Sequence, residues 1–238
     1  MGDIEHFDRL CTPTASRPLL GLTVLVVEDS RYACEAIRLM CLRSGARIRR
    51  ADCLRSARRH LQVYRPTVII IDLGLPDGSG ADLIAELAVC APRVSVILGT
   101  SGDDCSEPEA MAAGADDFLA KPVANLSQFQ NVILARLPPE RRPQGLRAVQ
   151  TEPISPDPIA YRDDMAHAAD ILGGDADDKA LDYVAAFLTG VAQIAGDGPL
   201  CSAAQELVRS RTQGLPVGAT LARVAGLVQE RLSARIAI

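Results

Sequence analysis

The sequence predicts a doubly wound α/β domain with a five-stranded parallel sheet, followed by a smaller all-α domain. Three observations lead there. Between Thr23 and Leu137, short β-branched apolar runs alternate with longer stretches of helical spacing. Two of those runs, Val24-Leu-Val-Val27 and Val68-Ile-Ile-Ile71, are apolar without alternation, as central parallel strands covered on both faces must be. Past a proline-rich stretch from Pro138 to Pro158, only helical spacing remains.

Taken in order, strands are expected near 23–28, 46–50, 67–72, 94–99 and 116–120, with helices near 31–44, 53–64, 80–90, 104–113 and 125–137. Ser30 is placed to cap the first helix, whose Ala33, Ile37, Met40 and Cys41 would face the sheet. Five strands with crossover helices suit a flavodoxin-like order, in which ligands bind beyond the carboxyl ends of the strands. The expected limits are an N-terminal extension over 1–20, the α/β domain over 21–138, a proline-rich linker over 139–158 and a helical domain over 159–238. In that last part Leu181, Val184, Ala185, Leu188 and Val191 make one apolar face, and Leu221, Val224, Leu227, Val228 and Leu232 make another. Gly173-Gly174, Gly196-Asp-Gly198-Pro199 and Gly214-Leu-Pro216 divide the region into about four helices.

A chain of 238 residues with 48% hydrophobic and 23% charged residues has the composition of a soluble globular protein. No run approaches the roughly 18 uninterrupted apolar residues that a membrane span needs, and the acidic, broken N-terminus does not read as a leader. A cytoplasmic protein without membrane contact is therefore expected. The seven cysteines are odd in number, scattered and without C-x-x-C spacing, so neither a disulfide framework nor a zinc site is indicated. From Thr151 onward there are seven Lys/Arg against twelve Asp/Glu, whereas residues 1–150 hold 18 of each, so the net charge of −5 lies in the C-terminal part. That acidity argues against a nucleic-acid-binding tail, because phosphate neutralisation needs clustered cations. The arginine-rich stretch from Arg43 to Arg65 has no interleaved aromatics beyond Tyr64 and is read as a solvated face.

The chemistry gathers at the strand ends. Asp72 closes the run Thr67-Val-Ile-Ile-Ile-Asp72; Glu28 and Asp29 follow the first strand, and Lys121 follows Asp116-Asp-Phe-Leu-Ala120. Packed carboxylates repel one another, a cost that a divalent cation with oxygen ligands removes. Glu28 and Asp29 would hold Mg²⁺, and Asp72 would add a third oxygen while attacking a phosphoryl group. Lys121 and the metal would neutralise the transferring oxygens. Taken singly, Asp29 reads as a helix cap, Lys121 as a surface lysine and Asp77-Gly78 as a turn; jointly they read as a phosphoryl-accepting site.

With these motifs, residues from about Leu22 to Leu137 resemble the receiver domain of bacterial two-component response regulators. The resemblance rests on the acidic pair after the first strand and the Asp72-x-x-x-Pro76 segment with its following glycines. It rests equally on Gly114-Ala-Asp-Asp-Phe-Leu-Ala-Lys-Pro122. It implies Asp72 as phosphoacceptor, the backbone carbonyl of Gly74 as a further metal ligand and Phe118 as the switch aromatic, a position where a Phe in an apolar strand reads equally as plain core. Pro76, Gly78 and Pro122 would be structural, with a cis bond before Pro122. One departure stands out. The family carries a Thr or Ser at the end of the fourth strand to contact the phosphoryl group, and counting back from Lys121 lands on Gly99. Either Thr100 or Ser101 supplies that hydroxyl by a local shift, or the hydroxyl is absent.

The resemblance implies a response regulator that takes a phosphoryl group from a sensor histidine kinase or a histidine phosphotransfer protein, with Mg²⁺ required. No enzymatic activity is expected beyond phosphoryl acceptance and slow hydrolysis of the aspartyl phosphate. Output would run through protein contacts of the C-terminal helices or through a homodimer. The alternative is a DNA-binding regulator with a helix-turn-helix near 200–235, drawing on Arg209, Arg211, Arg223, Arg231 and Arg235. His167 has no flanking pattern that would mark it as a phosphotransfer histidine.

Overall fold

A computed structural model describes residues 12–123, 125–144, 154–174 and 177–234. Most of the expected N-terminal extension, the middle of the linker and Arg235 lie outside the described residues. Strands β1 (Thr23–Val27), β2 (Arg47–Ala51), β3 (Val68–Asp72), β4 (Val96–Ser101) and β5 (Asp117–Ala120) form one parallel sheet in the order β2-β1-β3-β4-β5. This is the flavodoxin-like order the alternation predicted.

Helices α1 (Arg31–Ser44) and α5 (Leu126–Arg136) cover one face of the sheet, where Ile37, Met40, Phe129 and Ile133 pack on Val24, Val26, Val68 and Ile70. Helices α2 (Leu54–Val63), α3 (Gly80–Ala88) and α4 (Glu107–Ala112) cover the other, where Leu54, Ile84 and Ala110 meet Leu25, Ile69, Ile71 and Ile97. Every side chain of β3 is buried, and each fully buried Ile or Leu contributes about 1.5–3 kcal/mol. Leu19 also packs into the first cluster, so the packed unit begins before Gly21.

Local chemistry explains the ends of the elements. Ser30 caps α1 by accepting from the Ala33 N–H at 2.9 Å, and Gly45 ends the helix in the left-handed region at φ 85°. The fourth strand runs two residues later than expected, because Thr100 pairs with Asp72 and Ser101 with Ala120. The expected helix over 104–113 splits into a 3₁₀ turn, Asp104–Ser106, and α4, in whose first turn Pro108 sits.

Beyond the linker, α6 (Pro158–Gly173), α7 (Asp178–Ala195), α8 (Gly198–Thr212) and α9 (Gly218–Ser233) form a four-helix bundle in which each helix packs on the next and α9 returns to α6. Its core holds Met165, Val184, Leu188, Val191, Leu200, Leu207, Val224 and Val228. Part of the C-terminal acidity has a structural use, since Asp157, Asp177 and Asp197 cap α6, α7 and α8. The bundle does not hang free on a stiff linker: α6 and α7 pack on α1, and α7 also reaches Gly74–Leu75 after β3. No helix among the described residues is long and apolar enough to cross a membrane.

Candidate functional site

At the carboxyl edge of the sheet, the ends of β1, β3 and β5 bring together residues far apart in sequence. Glu28, Asp29 and Asp72 each offer a carboxylate oxygen within 4.8 Å of the others. Lys121 reaches in from the end of β5, its Nζ 2.9 Å from Asp72 Oδ1 and 2.6 Å from Glu28 Oε2. The register fixes this convergence, because the Lys121 N–H donates to the Ser101 carbonyl and the Leu73 N–H to the Thr100 carbonyl. Lys121-Pro122 is a cis peptide.

Three carboxylates share one ammonium in a pocket that water scarcely enters, with Glu28 1% and Asp72 7% exposed. Burial pushes Glu28 up to about 8; the Lys121 ammonium opposes that shift, and the Asp72 and Asp29 charges add to it. Burial also pushes Asp29 up to about 6, with the Asp72 charge adding and a hydrogen bond from Tyr183 opposing. Burial works against the charge on Lys121, but Asp72 and Glu28 outweigh it and raise its pKa, so it stays protonated. Among the described residues, the buried Glu28 Oε2 has the Lys121 ammonium, 2.6 Å away, as its partner. Three carboxylates against one ammonium leave excess negative charge among hard oxygen donors, which fits a divalent cation. Gly74 stands beside these groups, close enough that a Cβ there would lie 3.7 Å from Asp72 Oδ2.

The segment after β3 is shaped by close approach. Asp77 accepts from the N–H groups of Leu54 and Arg55 at 2.8 and 3.0 Å and so caps α2. Gly78 sits at φ 148°, where a Cβ would lie 2.9 Å from Leu54 Cδ1. Gly80 admits no side chain, since a Cβ would lie 2.0 Å from the Asp72 carbonyl oxygen. Pro76 lines an open crevice of ≈ 560 Å³ between this edge and α6.

Residues 99 to 101 stand in different surroundings. Thr100 donates to the Leu119 carbonyl at 2.6 Å and lines a small, largely apolar cavity toward α1. Gly99 lies on the opposite side, where a Cβ would stand 2.7 Å from Ala110 Cβ and 3.3 Å from Phe118 Cδ2. Phe118 is half-buried against the second core cluster and fills the space beside Gly99. Among the three residues from 99 to 101, Ser101 is the one that lines the Asp72 cavity, together with Gly102. In this conformation the Thr100 hydroxyl is engaged by the Leu119 carbonyl, and Ser101 brings a hydroxyl to the lining of the Asp72 cavity.

What sequence reading missed comes from the bundle. Tyr183 Oη donates a very short hydrogen bond to Asp29 Oδ2. Asp164, 2% exposed, accepts from Ser30 Oγ at 2.7 Å, the Arg31 N–H at 2.8 Å and the Tyr32 N–H at 3.0 Å. Asp163 pairs with Arg31 at 2.5 Å, and Tyr32 meets Tyr161 edge to face at 5.5 Å. In the sequence these residues lie on ordinary amphipathic helices with no motif to mark them. His167 Nε2 lies 3.3 Å from Tyr183 Oη.

Comparison with known proteins agrees with this geometry. Residues 24–133 match the family model for the response regulator receiver domain. The KDP operon transcriptional regulatory protein KdpE of Escherichia coli is 33% identical over 99 residues, which are 42% of this chain and 44% of KdpE. The transcriptional regulatory protein KdpE of Mycobacterium tuberculosis is 31% identical over 131 residues, 55% of this chain and 56% of that protein. The chain thus spans about half the length of the curated relatives it matches. A Burkholderia pseudomallei response regulator, crystallised with a phosphorylated aspartic acid, a calcium ion and citrate, is 28% identical with a TM-score of 0.42, covering 50% of this chain and 68% of its own. With its sheet order, its strand-end carboxylates and its lysine, the segment from residue 24 to residue 133 is a response regulator receiver domain.

Proposed function

We propose that this chain is a two-component response regulator whose Asp72 accepts a phosphoryl group from the phosphohistidine of a sensor kinase or a phosphotransfer protein. The observation that carries the reading is Asp72 itself: a buried carboxylate at the end of β3, 2.9 Å from Lys121 Nζ and within 4.8 Å of two further carboxylates. A carboxylate oxygen of Asp72 attacks phosphorus in line, and an O–P bond forms as the P–N bond breaks. The imidazole, protonated on its other nitrogen, leaves as a neutral ring with the electron pair. Lys121 balances charge on the equatorial oxygens. Glu28, Asp29, Asp72 and the Gly74 carbonyl would hold Mg²⁺, which supplies the second positive charge that the transferring group requires.

Output is assigned to contacts of the four-helix bundle, either with a target protein or with a second copy of the chain. Three of the five arginines named for a DNA-binding tail are engaged within the bundle. Arg211 pairs with Asp178 and Asp182, Arg223 with Glu206 at 3.1 Å, and Arg231 with Asp197 at 2.9 Å. Their charge is offset where nucleic acid would need it free, which favours protein contacts over DNA.

Intact mass spectrometry after incubation with acetyl phosphate and Mg²⁺ tests the reading. One phosphoryl adduct is expected on the wild type and none on Asp72→Ala; an equal adduct on both would sink it.

A further inference from the structure

The cavity around Asp72 is closed from outside by the chain's own bundle. It encloses ≈ 50 Å³, with Asp72 and Lys121 in its floor and Ala186, Phe187, Gly190 and Val191 of α7 in its roof. Gly102 lies so close under α7 that a Cβ there would stand 2.7 Å from Gln193 Oε1 and 3.1 Å from Gly190 Cα. Two polar clasps hold the roof in place. Asp164 of α6 accepts three hydrogen bonds from the start of α1, and Tyr183 of α7 holds Asp29.

A phosphoryl donor must reach Asp72 in line with its carboxylate, through the mouth of the crevice at the carboxyl ends of the strands. Helix α7 stands in that mouth. The side chains it presents there cannot carry a phosphoryl group, and His167, the one histidine after the linker, belongs to α6. Helix α7 therefore takes the position a donor protein must take, while the side chains it sets over Asp72 offer none of the chemistry.

Taking the phosphoacceptor reading as given, we propose that the surface beneath α6 and α7 is the seat of the protein phosphodonor, and that the C-terminal bundle is its intramolecular competitor. Donor and bundle exclude one another. While docked, the bundle also keeps the Asp29 oxygen that a metal ion needs. The seat specifies its occupant: a helical protein bearing phosphohistidine, with an acceptor group to meet the N–H groups of Arg31 and Tyr32 where Asp164 now meets them.

The test uses the full chain, with amide hydrogen exchange in the first turn of α1 as the gauge of undocking. Asp164→Lys places a cation against those N–H groups and should free the bundle. Gly102→Leu, whose Cβ would stand 3.1 Å from Gly190 Cα and so forces bulk under the roof, is the second route should Asp164→Lys leave the turn protected. Either freed chain should take phosphoryl at Asp72 from acetyl phosphate at least about tenfold faster than wild type. Tyr183→Phe should bind Mg²⁺ about threefold tighter or more by calorimetry, a readout that involves no phosphoryl chemistry. Equal phosphorylation rates and equal Mg²⁺ affinity in a chain shown to be undocked would overturn the competitor while leaving Asp72 as acceptor. Tighter Mg²⁺ binding by an undocked chain that takes no phosphoryl would overturn the acceptor reading and retain the closed site.

Discussion

The sheet and the bundle bury their apolar surface by different means. Strands β1 and β3 run as unbroken Val, Leu and Ile through the centre of the sheet, with helices on both faces. The bundle interior mixes such residues with Ala168, Ala185, Ala192, Ala203 and Ala204, and its last helix, α9, buries only Val224 and Val228. Small residues let helices approach closely but remove less area from water per residue. The sheet is thus self-sufficient in apolar burial, while the bundle leans more on polar clasps: Asp164 on α1, Tyr183 on Asp29, and Arg231 on Asp197. The dock combines these polar groups with packing of α6 and α7 on α1, and its release need not unfold the sheet it covers.

The largest expected effect would break that contrast if it came out symmetric. Ile70→Ala and Leu188→Ala each remove a fully buried side chain and should cost about 2–5 kcal/mol. Calorimetry should show Leu188→Ala melting the bundle in a transition below that of the sheet, whereas Ile70→Ala should lower the sheet transition. A single merged transition for both would mean that the two units unfold as one.

Next in size, Asp164→Ala removes one acceptor from three donors and should cost docking about 1–3 kcal/mol. Amide exchange at Arg31 and Tyr32 should quicken while amides in β3 stay protected; loss of protection in both places would make the clasp part of the sheet's own stability.

Asp197→Asn sharpens the account of the bundle, at about 1–2 kcal/mol. Its carboxylate is held below the usual aspartate range, chiefly by the Arg231 hydrogen bonds, with burial opposing and Tyr161 adding. A lowered folded pKa contributes stability that is full above the unfolded value of about 3.9 and is lost as pH falls through the lower folded value. The gap in melting temperature between wild type and Asp197→Asn should therefore be steady near neutrality and shrink only below about pH 4. The smallest effect is expected for Arg58→Ala, whose pair with Glu86 is solvent-exposed on both sides: under about 1 kcal/mol, and less in high salt.

The legibility of the sequence follows the same division. The sheet order and the strand-end residues can be read because parallel strands need continuous apolar runs and the chemistry needs charged groups at their ends. Glu28, Asp29, Asp72 and Lys121 therefore stand out as a group from their positions in the chain alone. The four bundle helices are visible from periodicity and glycine punctuation. Their docking is not, because Asp164 and Tyr183 are single polar residues on amphipathic helices and acquire meaning only from partners more than 130 residues away. Thr100 and Gly99 can be counted but not oriented, because a strand end displaced by two residues changes which groups enter the cavity.

Gly99 carries a consequence for timing. With Ala110 and Phe118 filling the place beside it, the α4 side of the pocket has no hydroxyl there to rotate toward Asp72. Among the described residues, a polar chain leaves the pocket from Asp29 to Tyr183 and so runs into the bundle. A rotating side chain answers in picoseconds to nanoseconds, whereas a helical module that must lift away answers in roughly microseconds to milliseconds. On the proposed reading, a receiver wired in this way would trade quickness for an all-or-none reply, and the lifetime of its signal would be bounded by how soon the bundle settles back.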